Sequence, residues 1–165
     1  MIKKILLAVA LILPAMSMSA QKFGTVNVDE IMEALPAYAE MKTKIEASSK
    51  TYEDEFAKLQ QEMEKKYTEF QQMEQTTPEA IKERRMQELQ ELDQKIQQFR
   101  ATAQQDLQRQ QMQLMQPIQE SIMKAIQTVG ASGNYTFIFD AGQSYYAGPT
   151  VENVTPQVKS ALGIK

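Results

Sequence analysis

Two long amphipathic repeats constrain this chain more than any other feature. From Ala37 onward, Tyr38, Met41, Ile45, Tyr52, Phe56, Leu59, Met63, Tyr67, Phe70 and Met73 recur at spacings of mostly three and four, and Ser48 or Ser49 occupies the one missed turn. Side chains so spaced share one face of an α-helix, with the intervening Glu, Lys, Gln and Thr on the other. The stripe is narrow, the width that a coiled coil buries. It is aromatic and Met-rich rather than built from Leu and Ile, so looser packing than in a dimeric zipper is expected. The segment EQTTPEAIKE breaks the pattern. Thr77 can cap a new helix, Pro78 suits its first position and Glu79 favours its positive end. A second stripe then runs through Ile81, Leu89, Leu92, Ile96, Phe99, Ala103, Leu107 and Leu114. Each stretch is about forty residues, or roughly 60 Å of helix. Equal lengths and a short connector predict an antiparallel helical hairpin over 37–116 with its tip near 74–79. One unbroken helix is disfavoured by Pro78, which pushes Thr77 out of the helical region.

Beyond Gln111 the apolar stripe widens: Met112, Leu114, Met115, Ile118, Ile122, Met123, Ile126 and Val129 cover most of the circumference. A helix apolar nearly all round is expected to be buried, with a kink at Pro117 and a stop at Gly130. The flanks read as a small β-rich body made of residues 21–36 and 117–165. In it, Lys22–Val28 (KFGTVNV) reads as a strand, followed by a short helical turn that Asp29 can cap and Pro36 interrupts. Tyr135–Asp140 reads as a second strand, with Tyr135, Phe137 and Phe139 on one face and Thr136 and Ile138 on the other. QSYYAG is a further candidate strand. Thr155, Pro156 and Gly163 bracket a final helix as cap, first residue and stop. A hairpin that goes out and comes back makes Lys22–Val28 and Tyr135–Asp140 candidate partners. Two or three short strands are a poor sheet alone. A body of about sixty residues per chain is marginal without staples. The pattern therefore predicts an α+β, mostly α fold in which several chains pool their strands through Phe23, Val26, Val28, Tyr135, Phe137, Ile138 and Phe139. The hairpin packs along Tyr38, Met41, Ile45, Tyr52, Phe56, Leu59, Met63, Leu89, Leu92, Ile96 and Phe99 and projects from that body.

Residues 1–20 open with Lys3 and Lys4, continue with an apolar run from Ile5 to Leu13, and end in Pro14 and small residues. That is the pattern of a secretory signal peptide, cleaved after Ser19 or Ala20, with a run too short to span a bilayer. The mature chain is then expected to be soluble in an extracytoplasmic space. Cysteine is absent, so stability must come from packing or oligomerisation. Loss of Lys3 and Lys4 leaves 16 of the 18 basic residues against 21 acidic, a net charge of −5. That balance argues against nucleic acid as a partner. Histidine is absent too, and with it the common nucleophile–base pairs and soft metal sites, so neither an enzyme nor a cofactor is expected. Asp29 and Asp140 read as cap and turn residues, and VGASGNY lacks the lysine and spacing of a phosphate loop. Met41, Met63 and Met73 stand at core spacing, and their thioethers would also suit varied apolar partners. Lys82, Arg84 and Arg85 form the one compact basic cluster on the hairpin, read first as a solvated helix face near Glu79 and Glu83.

Three kinds of function suit such a chain. One is a holdase that shelters aggregation-prone chains; the second is a structural coiled coil or adaptor of the cell envelope. The third, a cytosolic prefoldin-like hairpin, has its β-structure in the middle of the chain rather than at both ends. KFGTVNVDEIMEALPAYAEMKTKIE, the Gln/Glu/Lys-rich helical pair and NYTFIFDAGQSYYAGPTVENVTPQVKSALG together resemble the Skp/OmpH family of periplasmic chaperones over essentially the whole mature chain. The resemblance implies a homotrimer with a small β-rich body, from which three hairpins hang and enclose a cavity. It also implies periplasmic, ATP-independent holding of unfolded outer-membrane proteins, with room for transient contact with a membrane surface. Well-known members are strongly basic. Here residues 37–128 carry 13 basic and 16 acidic side chains, so a basic cavity does not carry over.

Overall fold

The computed structural model describes residues 21–73 and 75–164, so the segment read as a signal peptide lies outside the described residues. In chain order the elements are β1 (Phe23–Val26), α1 (Val28–Ala34), α2 (Pro36–Gln71), α3 (Glu79–Ser132), β2 (Phe137–Asp140), a 3-10 turn (Ala141–Gln143), β3 (Glu152–Asn153) and α4 (Thr155–Ala161). The fold is α+β and mostly helical. It divides into two compact units: Met32–Ser121, and the segments up to Ile31 and from Ile122 onward. No helix among the described residues is long and apolar enough to cross a membrane.

The first unit is the hairpin. Pro36 opens α2, where its missing N–H costs nothing. Pro78 stands just outside α3, its carbonyl accepting the N–H groups of Ile81 and Lys82. α2 and α3 run antiparallel: Ser48 meets Gln110, Tyr52 meets Asp106, and Lys66 meets Glu88. α3 continues through Pro117 and runs to Ser132, two residues past the stop expected at Gly130. Nor is its later half buried all round. Met112 and Met123 are 67% and 58% exposed, while Ile118, Ile122, Ala125 and Val129 are buried. The apolar face there is wide, yet still one face of an amphipathic helix.

The second unit is a three-stranded sheet of order β2-β1-β3 with its helices. Both pairings are parallel, with Phe23 opposite Phe137, Val26 opposite Asp140, and Thr25 opposite Asn153. Strands 110 residues apart in sequence can pair in parallel because the intervening helices form the crossover that parallel pairing requires. Gly24 lies at the centre of the sheet. A Cβ there would meet Val154, Ile138 and Tyr135 at 3.2–3.3 Å, so hydrogen is what lets the three side chains close over β1. Val26, Ile31, Ile122, Ala125, Val129, Val154 and Val158 are buried in this unit.

Several local expectations change. Val28 begins α1 rather than extending the strand. The cap of α1 is Asn27, whose Oδ1 accepts the Glu30 N–H at 3.0 Å, and Asp29 lies in the first turn. QSYYAG forms no strand: β3 is Glu152–Asn153, and Tyr145 and Tyr146 are exposed. Gly130 lies inside α3, which ends instead at Asn134 in the left-handed region with φ 52°. Gly163, with φ 73°, ends α4 as the sequence predicts, with the Ile164 N–H reaching back to the Lys159 carbonyl. Thr155 heads α4, but its own N–H is taken by the Asn153 side chain at 2.9 Å. Its buried hydroxyl instead accepts the Asn27 N–H at 2.9 Å, joining the start of α4 to the end of β1.

Candidate functional site

Two surfaces carry the residues that the sequence singles out, one in each unit. In the hairpin, Met41, Leu59 and Leu92 are buried between the helices, and Tyr38, Ile45, Tyr52, Phe56, Met63, Leu89, Ile96 and Phe99 are half-buried. The seam is held partly by ring chemistry. Tyr52 and Phe99 meet edge to face at 6.0 Å, and the Arg100 guanidinium lies 5.2 Å over Phe56. Open grooves line its wider end. One of about 250 Å³ lies among Leu35, Met41, Leu114 and Ile118, and another of about 410 Å³ lies among Tyr38, Met41, Ile45 and Met115.

Midway along, the seam turns polar. The Tyr52 hydroxyl donates to Asp106 at 2.6 Å and Gln110 donates to the same oxygen at 2.5 Å. Arg109 pairs with the other oxygen, and the Ser48 hydroxyl donates to Gln110 at 2.9 Å. These donors, the Tyr52 hydroxyl foremost and Gln110 next, hold the Asp106 carboxyl below the usual carboxylate range against the opposing effect of burial. The same bond raises the Tyr52 phenol. Sequence reasoning noticed the missed turn at Ser48 but not its counterpart. The second stripe also skips a turn, at Gln110 between Leu107 and Leu114, and the two gaps face each other.

Near the tip, the basic cluster is largely engaged. Arg85 and Arg84 bind Glu88 at 2.7 and 3.1 Å, Lys66 approaches it from α2 at 3.6 Å, and Lys82 reaches the Gln75 carbonyl. Arg85 chiefly holds the Glu88 carboxyl below its ordinary value.

On the sheet, alternation sends Phe23, Phe137 and Phe139 to one side and Val26 and Ile138 to the other. The three rings stack with centroids 5.8–6.4 Å apart. Phe137 and Phe139 remain 58% and 49% exposed. Tyr135 does not join them. It precedes β2, reaches Gly24 on the Ile138 side, and lies under the Lys22 ammonium at 4.0 Å. Lys22 also pairs with Glu152 at 3.0 Å, and Tyr135 and Lys22 together hold that carboxyl below its usual range. A groove of about 260 Å³ beside the phenylalanines is lined by Phe23, Thr25, Phe139, Ser144, Tyr146 and Val151. No grouping of three or more His, Cys, Asp or Glu suited to a metal ion occurs among the described residues.

A family model, described as outer membrane protein (OmpH-like), matches residues 22–162. No curated protein sequence matches the chain significantly. The fold is similar to the crystal structure of a Caulobacter crescentus protein described as an OmpH-like outer membrane chaperone. The TM-score is 0.76 at 12% identity, covering 88% of this chain and 86% of the other.

Proposed function

This chain belongs to the OmpH-like family of outer membrane proteins, and from that premise we propose that it is an ATP-independent periplasmic holdase for unfolded outer-membrane β-barrel proteins. Its action is binding rather than catalysis. Three copies join through their sheets, using residues 21–36 and 117–165, and the hairpins of residues 37–116 form the walls of a shared cavity. The observation that supports this most is the uncovered phenylalanine face: one chain alone leaves Phe137 and Phe139 half in water. A single small body with no disulfide has little to offset that exposure. Unfolded barrel strands expose alternating apolar residues and unpaired backbone groups that aggregate between chains. A cavity separates one such chain from the next, and many weak wall contacts suffice to retain it. Release needs no fuel, because a client that folds into a membrane leaves the unfolded pool.

The test is light scattering of an unfolded outer-membrane barrel protein diluted from denaturant. Suppressed scattering at roughly one assembly per client is the expected outcome. Unchanged aggregation at a large excess of this protein overturns the reading. Capture of one folded envelope partner instead of unfolded clients would point to an adaptor.

A further inference from the structure

The apolar seam of the hairpin is interrupted on both helices, and one interruption of each coincides with one of the other. Ser48 interrupts the stripe of α2 and Gln110 that of α3, and they are hydrogen-bonded to each other. Beside them, Tyr52 reaches across to Asp106, whose carboxylate is 16% exposed and fully engaged by Tyr52, Gln110 and Arg109. We propose that this node is a register clamp, which selects one pairing of α2 and α3 out of several that the seam would otherwise accept.

Apolar residues that recur every three or four positions match again after a slide of one heptad. The seam's Met, Tyr and Phe side chains adapt readily to such a change. The connector does not forbid the slide, because shifting the pairing by seven residues moves the turn by only about one helical turn of chain. The node does forbid it. One heptad along α2 from Tyr52 stands Leu59, and one heptad back stands Ile45. Arg109 and Gln110 travel with Asp106 on α3, but either slide takes away its one donor on α2, the Tyr52 hydroxyl, and sets the carboxylate against an aliphatic side chain, where a charge short of a donor is costly. Gln110 loses Ser48 at the same time. Fixing register is the best-attested use of a polar group in a helical seam. The inference stands on the hairpin alone and does not depend on the chaperone reading.

The chain has no cysteine, so register can be read by introduced pairs. Lys66→Cys with Glu88→Cys reports the observed pairing, in which those side chains meet. Lys66→Cys with Ile81→Cys or with Lys95→Cys reports a slide of one heptad either way. In the otherwise native full-length chain, mild oxidation should close the first pair within one subunit and neither of the others. In the Tyr52→Phe/Asp106→Leu background, one offset pair should gain at least ~10-fold in yield, the ratio that ~1.4 kcal/mol of register preference represents. Asp106→Asn keeps an acceptor for the Tyr52 hydroxyl and should retain the native pattern. Offset pairs that stay unreactive in the double variant overturn the proposal. So does loss of its helical circular dichroism, which would make the node a source of stability rather than of register.

Discussion

Asn27 and Thr155 show how two side chains fix the junction of β1, α1 and α4. Asn27 supplies the first-turn acceptor of α1 through its Oδ1, and its backbone N–H donates to the Thr155 hydroxyl, 128 residues away in sequence. Loss of a cap costs about 1 kcal/mol. Thr155→Val keeps the shape but leaves the Asn27 N–H facing a methyl group in a buried site, at a cost of about 1–3 kcal/mol. Asn27→Ala and Thr155→Val should therefore both lower the urea midpoint, with Thr155→Val the larger effect. The two should not be additive, because they share one junction. Equal or smaller loss for Thr155→Val would show that water reaches the Asn27 N–H. The pair also marks the limit of reading this segment from sequence. Asp29 and Asn27 are both good caps, and which one serves depends on where β1 stops. The Thr155 hydroxyl was read as capping its own helix, since a bond made across the fold leaves no local trace.

At the scale of elements, periodicity carried most of what was legible. The hairpin, its antiparallel sense and the pairing of β1 with β2 followed from three-and-four spacing and from two strand-like runs flanking it. QSYYAG was misread because β-propensity reports fitness for a half-buried pleated surface, whereas Tyr145 and Tyr146 stand in solvent. Glu152–Asn153 pairs instead, with a composition that carries no strand signal. The breadth of the apolar stripe after Gln111 overstated burial, since Met112 and Met123 project outward. The helical pair also has a predictable acid response. Tyr52 on α2 and Gln110 and Arg109 on α3 favour ionised Asp106, and Arg85, Arg84 and Lys66 favour ionised Glu88. Both carboxyls thus have folded pKa values below their unfolded ones. Their contribution is present above the unfolded values, about 4, and is lost as pH falls through the lower folded values. Urea midpoints followed by helical circular dichroism should hold steady from about pH 7 to 5 and fall between about pH 4 and 2. In Asp106→Asn the fall should be shallower. A midpoint that rises on acidification would contradict the sign of these interactions.

For the whole molecule, the question is what covers the phenylalanine face. Burying a phenylalanine side chain removes up to about 150–250 Å² from water, so the half still exposed at Phe137 and at Phe139 is worth about 2–3 kcal/mol each once covered. That is comparable with the roughly 3–5 kcal/mol that a core of this size supplies by itself. A proposed assembly that buries these rings in every copy would therefore draw much of its cohesion from this face. The grooved surface beside it, lined by Thr25, Ser144 and Val151, offers no charged side chain to oppose an apolar contact. Phe137→Ser with Phe139→Ser leaves the opposite face intact, because Val26, Val154 and Val158 pack on the other side of the sheet and are buried without them. Sedimentation of the native protein at micromolar concentration should give three times the subunit mass. The double variant should sediment as a single subunit with its helical signal largely kept, and it should no longer hold back aggregation of a barrel client. A variant that stays trimeric would move the interface off this face. A monomeric variant that still suppresses aggregation would separate holding from assembly and place it on the single hairpin.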